Sequence, residues 1–163
     1  MPADFYLKIG DIEGDSTVSG HEKQIELLSL SLGAVMPIGS RSSGGSATTG
    51  KVSINDMSLV KQTDSASTRL FLAVCTGQHF DEAVISINRP DGQGGLVEYA
   101  NWTLNDVVVS AYSHGAAGAD VPVENISLNF GKITFTYTPT DPATAAAQGA
   151  LTSGWDVGQN KPV

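Results

Sequence analysis

Few residues in this chain have the type and spacing to do chemistry. The three histidines, His21, His79 and His114, each fall in or beside a turn-forming stretch. None stands at metal-ligand spacing from another or from Cys75. Solvated loop imidazoles account for all three. Cys75 falls on the apolar side of a helical stretch with no cationic group spaced to activate it, so it reads as a small core residue rather than a nucleophile. No G-x-S-x-G, H-E-x-x-H or P-loop pattern occurs. Gly92, Gly94 and Gly95 lie between two strand-like stretches, which makes a hairpin loop and not a dinucleotide fingerprint.

The acidic loop after Gly10 comes nearest to a ligand set. Asp11, Glu13, Asp15, Thr17, Ser19 and Glu22 match alternate ligand positions of an EF-hand frame. Ser16 stands where the sharp turn needs glycine, and no helix pair flanks the loop. A solvated acidic loop is the expectation. Asn101-Trp102-Thr103 and Asn125-Ile126-Ser127 match a glycosylation pattern but lie inside strand-like stretches, and they are set aside. No catalytic residue, metal site or cofactor is expected.

Composition narrows the classes further. The 163 residues suit one domain spanning 1–163. With 9 basic against 17 acidic residues the net charge is −8, which leaves no basic face to neutralise phosphates, so nucleic-acid binding is not expected. The single cysteine allows no intrachain disulfide. No apolar run approaches the roughly 20 residues that span a bilayer, so membrane insertion is not expected. Met1-Pro2-Ala3-Asp4-Phe5 lacks a basic region and an apolar signal stretch. Synthesis in the cytoplasm is expected, with any export proceeding without a cleaved signal.

Most of the chain alternates apolar and polar residues with period two, the mark of half-buried strands. Phe5, Leu7 and Ile9 alternate with Tyr6 and Lys8. Strands are predicted over 24–36, 51–60, 80–89, 96–113 and 123–138. Pro90-Asp91-Gly92 predicts a turn, because Pro presets φ and Gly accepts positive φ. The stretch from Gly39 to Gly50 is rich in Gly and Ser and predicts a flexible loop. One segment breaks the pattern. Leu70, Phe71, Val74 and Cys75 form one face of a helix over 65–75, with Asp64 or Ser65 to cap its start and Gly77 just past its end. The fold class is mainly β: an antiparallel barrel of two coiled sheets with one short helix.

Several strands switch parity midway. Ile126, Leu128 and Phe130 give way to Ile133, Phe135 and Tyr137; Trp102 and Leu104 to Val107 and Val109; Val52 and Ile54 to Met57 and Leu59; Ile25 and Leu27 to Leu28, Leu30 and Leu32. An inserted bulge, a strand bending between two sheets, or a half-strand facing another subunit each produces this pattern. The stretch 139–163 is a tail, small and featureless over Ala143–Ala147, with Trp155 as a lone large aromatic expected to pack it back against the barrel.

Taken in order, these segments resemble the Hcp (hemolysin-coregulated protein) family of type VI secretion systems. Asp4-Phe5-Tyr6-Leu7-Lys8-Ile9-Gly10-Asp11-Ile12-Glu13-Gly14 looks like its N-terminus, and Ile25-Glu26-Leu27-Leu28-Ser29-Leu30-Ser31-Leu32-Gly33 is similar to its second strand, where aromatics commonly replace the leucines. Lys51-Val52-Ser53-Ile54 follows a Gly-rich loop, as in the family. The most specific match is Pro122-Val123-Glu124-Asn125-Ile126-Ser127-Leu128-Asn129-Phe130-Gly131-Lys132-Ile133, and Gly154-Trp155-Asp156 with Asn160-Lys161 fits the ending. The resemblance implies hexameric rings that stack into an ejected tube. It also implies partners in the system's spike protein, contractile sheath and effectors. A phage-type tail tube subunit and a monomeric carbohydrate-binding sandwich are the alternatives.

Two groups of residues acquire expected roles in a ring. Ser29 and Ser31, opposite the leucines of their strand, are candidates to line the lumen and contact cargo. Gly39, Arg41, Ser43, Gly44, Gly45 and Ser46 form a candidate loop for ring or stacking contacts, ordering against an adjacent subunit.

Overall fold

A computed structural model describes residues 4–39, 45, 47–144 and 146–163. Among the described residues the alternating sequence folds as eleven strands and one helix. The first five strands are β1 (Asp4–Ile9), β2 (Ile25–Leu27), β3 (Ser29–Ser31), β4 (Ala34–Val35) and β5 (Ser53–Ile54). Then come β6 (Met57–Gln62), α1 (Ser67–Thr76), β7 (His79–Pro90), β8 (Leu96–Gly115) and β9 (Val123–Tyr137). The chain ends on β10 (Leu151–Asp156) and β11 (Lys161–Pro162). All pairings are antiparallel. One sheet runs β11-β10-β9-β8-β7-β1-β2, with β6 joined to β9 and β3 to β6, while β4 and β5 form a separate ribbon.

The ladders almost close a circle. β1 pairs β2, and β3 pairs β6, which pairs β9. The sheet does not close by an unbroken ladder. The chain itself completes the circuit at Leu28, whose N–H reaches Val60 O at 2.7 Å. The expected single strand over 24–36 is therefore three short ones, because β2 and β3 serve different partners. Leu28, expected to share a face with Leu30 and Leu32, is 54% exposed. The strand expected over 51–60 likewise splits at Asn55 and Asp56, where Asn55 N–H turns to Gly33 O at 2.8 Å.

The core fills the inside of this circuit. Leu7, Ile9, Ile25, Met57, Leu59, Ile85, Leu104 and Leu128 are fully buried, with Leu70 and Ala73 of α1 among them. Each such side chain contributes about 1.5–3 kcal/mol by leaving water, which is what pins the registers. The turn at Asp91 forms as expected: Asp91 N–H bonds Gly95 O at 3.0 Å, and its Oδ1 accepts from Gln93 and Gly95 N–H.

The strongest parity switches have one cause. Asp106 of β8 takes φ +52° and lies between the pairs Asn105↔Lys132 and Val107↔Phe130, across from Gly131. Residues count one to one across it, so nothing is inserted. Both strands turn over at the same step, which buries Leu104 and Val107 on one side and Phe130 and Ile133 with them. Register shifts of the bulge kind occur elsewhere, at Ile87/Asn88 and Val109/Ala111.

The helix forms one to two residues later than expected, and its roll differs. Its inward residues are Ser67, Leu70 and Ala73, while Phe71 and Leu72 are 55% and 58% exposed. Cys75 is exposed rather than part of the core. The N-cap is Ala66, with no side-chain cap bond, rather than the expected Asp64 or Ser65: Asp64 Oδ1 accepts from Ala66 N–H at 2.9 Å, and Ser65 turns away to Asp15. Gly77 ends the helix at φ +68° with its N–H on Ala73 O. The last part of the chain is more regular than its sequence suggests, since β10 pairs β9 from Leu151↔Tyr137 to Asp156↔Lys132.

Candidate functional site

Two fully buried charges meet inside the fold. Lys61 of β6 and Glu124 of β9 are register partners, and both are fully buried. Lys61 Nζ stands 2.7 Å from Glu124 Oε2 and 2.8 Å from Asp64 Oδ1, and it donates to Gln62 O at 2.9 Å. It also lies 3.1 Å from Ser67 Oγ, so four acceptors share its three ammonium protons. Ser67, in the first turn of α1, donates from Oγ to Glu124 Oε2 at 2.7 Å and accepts from Asp64 N–H at 2.9 Å. Tyr112 of β8 donates its hydroxyl to Glu124 Oε1.

The electrostatics follow from this crowding. Burial alone raises the Glu124 carboxyl, but hydrogen bonds from Lys61, Tyr112 and Ser67 and the Lys61 charge outweigh it and hold the group below its usual value. Burial, the Glu124 hydrogen bond and its negative charge push the Tyr112 hydroxyl up to about 12. A neutral tyrosine and a charged lysine–carboxylate pair make a structural clamp joining β6, β8, β9 and α1. Sequence reasoning missed it, although a signal existed. Lys61 continues the inward parity of Met57 and Leu59, and Glu124 that of Ile126 and Leu128.

The acidic loop does not converge on a point. Arg69 Nη2 holds Asp11 Oδ1 at 2.9 Å, Lys23 lies 3.5 Å from Glu13, Ser65 bonds Asp15, and Glu22 accepts from Gly20 N–H at 3.0 Å. Of the histidines, His21 is not simply solvated. It stacks on Tyr6 with ring centroids 4.3 Å apart and contacts Gln24 and Asn88.

Ser29 and Ser31 are both exposed on β3, opposite Val60 and Ser58, while Leu30 between them is half-buried over Leu59. Beyond β4 a narrow ribbon continues. Ile38 bridges Thr49, and Gly39 N–H bonds Thr48 O at 2.8 Å. A side chain at Gly39 would meet Thr48 Oγ1 at 2.3 Å, so the ribbon's strands approach closely there. Gly45 is exposed. Arg41, Ser43, Gly44 and Ser46 lie outside the described residues. The ribbon carries Val35, Met36 and Ile38, at 60%, 42% and 61% exposure, with nothing packed on them among the described residues. Trp155 sits in β10 opposite Ile133 of β9 and Pro162 of β11, half-buried against the core. These expected residues thus occupy separate places: β3, the ribbon and the C-terminal strand pair.

Comparison with known proteins decides what such an arrangement belongs to. Residues 6–137 match the family model described as type VI secretion system effector, Hcp. The chain belongs to the Hcp family. Protein hcp1 of Pseudomonas aeruginosa is 35% identical over 161 residues, covering 98% of both chains. A solved structure of a type six secretion system protein superposes with a TM-score of 0.89 at 29% identity, over 98% of this chain and 99% of that one. The crystal structure of Hcp1 from Salmonella typhimurium gives 0.80 at 25% identity over the whole of both chains. The mainly β, one-helix Hcp architecture holds end to end, including the C-terminal strands beyond residue 137.

Proposed function

We propose that this Hcp-family chain is a structural tube subunit rather than an enzyme. Six copies close head to tail into a ring, and rings stack into the inner tube that the secretion system ejects. The whole-length match to type VI secretion Hcp proteins carries this reading. It favours that role over a phage tail tube and over a carbohydrate-binding sandwich. The chain acts as one domain, 1–163, and its partners are its own copies, the spike protein, the contractile sheath and effectors. The exposed apolar ribbon supports a contact role for the loop Gly39–Ser46, including Arg41, Ser43, Gly44 and Gly45, because an isolated two-stranded ribbon is marginal in water. Exposure of Ser29 and Ser31 on β3 suits a lumen-facing, cargo-contacting surface, and Trp155 serves to dock the C-terminal strands on the barrel.

Light scattering behind gel filtration tests the assembly. A subunit of 16.9 kDa predicts a closed ring of six at about 101 kDa. A monomer persisting at high concentration overturns the ring. The cargo surface is tested by Ser31→Gln, which leaves the ring mass intact and abolishes cargo retention. A Ser31→Gln chain that no longer forms rings makes Ser31 an interface residue instead.

A further inference from the structure

Helix α1 sits on the barrel about a quarter turn away from the roll its own sequence favours, taking 3.6 residues per turn. Phe71 and Cys75 fall in the middle of its apolar arc, between Leu70 and Val74 on one side and Leu72 on the other. The face turned inward is instead Ser67, Leu70 and Ala73. Phe71, Leu72 and Cys75 face out, and Phe71 keeps only an edge contact with Tyr112, ring centroids 5.7 Å apart. A quarter-turn roll would take Phe71 and Cys75 out of water and carry the smaller Ala73 toward it. Something opposes that roll.

The opposition lies in the first turn. Ser67 is the α1 residue that enters the buried ionic cluster, donating to Glu124 Oε2 at 2.7 Å. Asp64, three residues before it, is held by Lys61 Nζ at 2.8 Å and in turn accepts from Ala66 N–H. A quarter-turn roll swings Ser67 Oγ out of the cluster and pulls on Asp64. Glu124 then loses a donor in a place where its side chain has no access to solvent. A buried group left without its partner costs more than the contact was worth. Buried ion clusters add little net stability, yet they discriminate sharply between alternative arrangements.

We propose that the Lys61–Asp64–Ser67–Glu124 cluster is a rotational lock on α1, fixing which face of the helix the protein presents. The lock keeps Phe71 and Cys75 on the surface against the apolar arc of the helix. It rests on this geometry and not on the tube reading. The competing account is packing alone: Ala66 and Ala73, both fully buried, let α1 lie close to the barrel and hold its roll without the charges.

Thiol labelling separates the two accounts. Cys75 is the chain's single cysteine and lies on the contested face, so its reactivity reads the roll. The test variant is Lys61→Met/Glu124→Leu/Tyr112→Phe, with its fold checked by circular dichroism and compared at matched native mass. The lock predicts that Cys75 labels about tenfold more slowly in the variant, as a thiol does when it moves from water onto protein. An unchanged rate in the folded variant overturns the proposal in favour of packing. Should the triple variant not fold, Ser67→Ala decides, because it removes the Ser67 bonds to Glu124, Lys61 and Asp64 N–H and leaves the ion pairs in place. Slower labelling in Ser67→Ala supports the lock, and an unchanged rate overturns it.

Discussion

Lys61 and Glu124 face each other across β6 and β9 as register partners, with ammonium and carboxylate 2.7 Å apart and neither side chain exposed. Truncating Lys61 strands the Glu124 charge inside the barrel, whereas truncating Glu124 leaves Lys61 its pair with Asp64. Lys61→Met should cost about 3–5 kcal/mol, and Glu124→Leu less, because Asp64 still pairs with Lys61. Lys61→Met/Glu124→Leu should cost clearly less than the two single changes added, because no fully buried charge is left unpaired. Urea midpoints for the four proteins form the cycle. Additive losses would mean that the two residues do not work as a pair.

The same pair sets a pH dependence. The Glu124 carboxyl is lowered in the folded protein from an ordinary value of 4.5. A group depressed on folding stabilises at pH above its unfolded value and loses that contribution as pH falls through its folded value. Stability should therefore hold flat near neutrality and decline as the solution is acidified below the ordinary carboxylate range. Glu124→Gln removes this component, so its curve should start lower at pH 7 and fall less steeply in acid. Denaturant midpoints taken across pH 3 to 7 in the two proteins compare the slopes, and parallel curves would count against Glu124 as the titrating group.

How much of this was legible in the sequence depends on the range of the interaction. The long strands β7, β8 and β9 were readable because period-two patterning survives over many residues. Asp91 and Gly77 carry local turn and cap chemistry and behaved accordingly. The break at Leu28 was not readable, since it depends on which strand each half meets. The roll of α1 was misread for the same reason: Phe71 and Cys75 mark the apolar arc locally, but Ser67 is tied to Glu124, 57 residues away. Lys61 and Glu124 are absent from the candidate residues although both sit at inward parity. Charged residues on the buried face of a strand pattern are the signal to heed. β10 and β11 escaped because Ser153, Gly154 and Pro162 hide the alternation.

Gly14 is required by space rather than by φ. It is buried, and a β-carbon there would come within 2.5 Å of Gln24 O and 2.7 Å of Ile25 Cα, both backbone atoms at the start of β2. Backbone cannot step aside as a side chain can. Gly14→Ala should lower stability by about 1–3 kcal/mol, the usual cost of overpacking. Gly20, at φ +85° with open space around it, provides the control. Gly20→Ala should cost only the smaller strain of positive φ, about 1 kcal/mol. Thermal melts of the two variants side by side check the order, and equal losses would contradict the steric argument.

Asp106 carries the kink at which β8 and β9 exchange their inward faces. Its φ of +52° is tolerated by Asp, Asn or Gly and resisted by branched side chains. Gly131 opposite it is equally constrained, because a β-carbon there would lie 3.3 Å from Asp106 Cβ. The two positions must turn over together, or Leu104 and Val107 cannot both point inward. Asp106→Asn keeps the backbone preference and should leave stability within about 0.5 kcal/mol, with the exposed contact to His79 Nδ1 at 3.0 Å contributing little. Asp106→Val should cost about 1–3 kcal/mol, since a β-branched residue cannot relax into that region. Amide exchange would place the damage: protection should fall on both sides of the kink, at Leu104 and Ile133 as well as Val107 and Phe130. A loss confined to Asp106 and its immediate neighbours would mean that the kink is a local turn, and that the two halves of the sheet hold their faces independently.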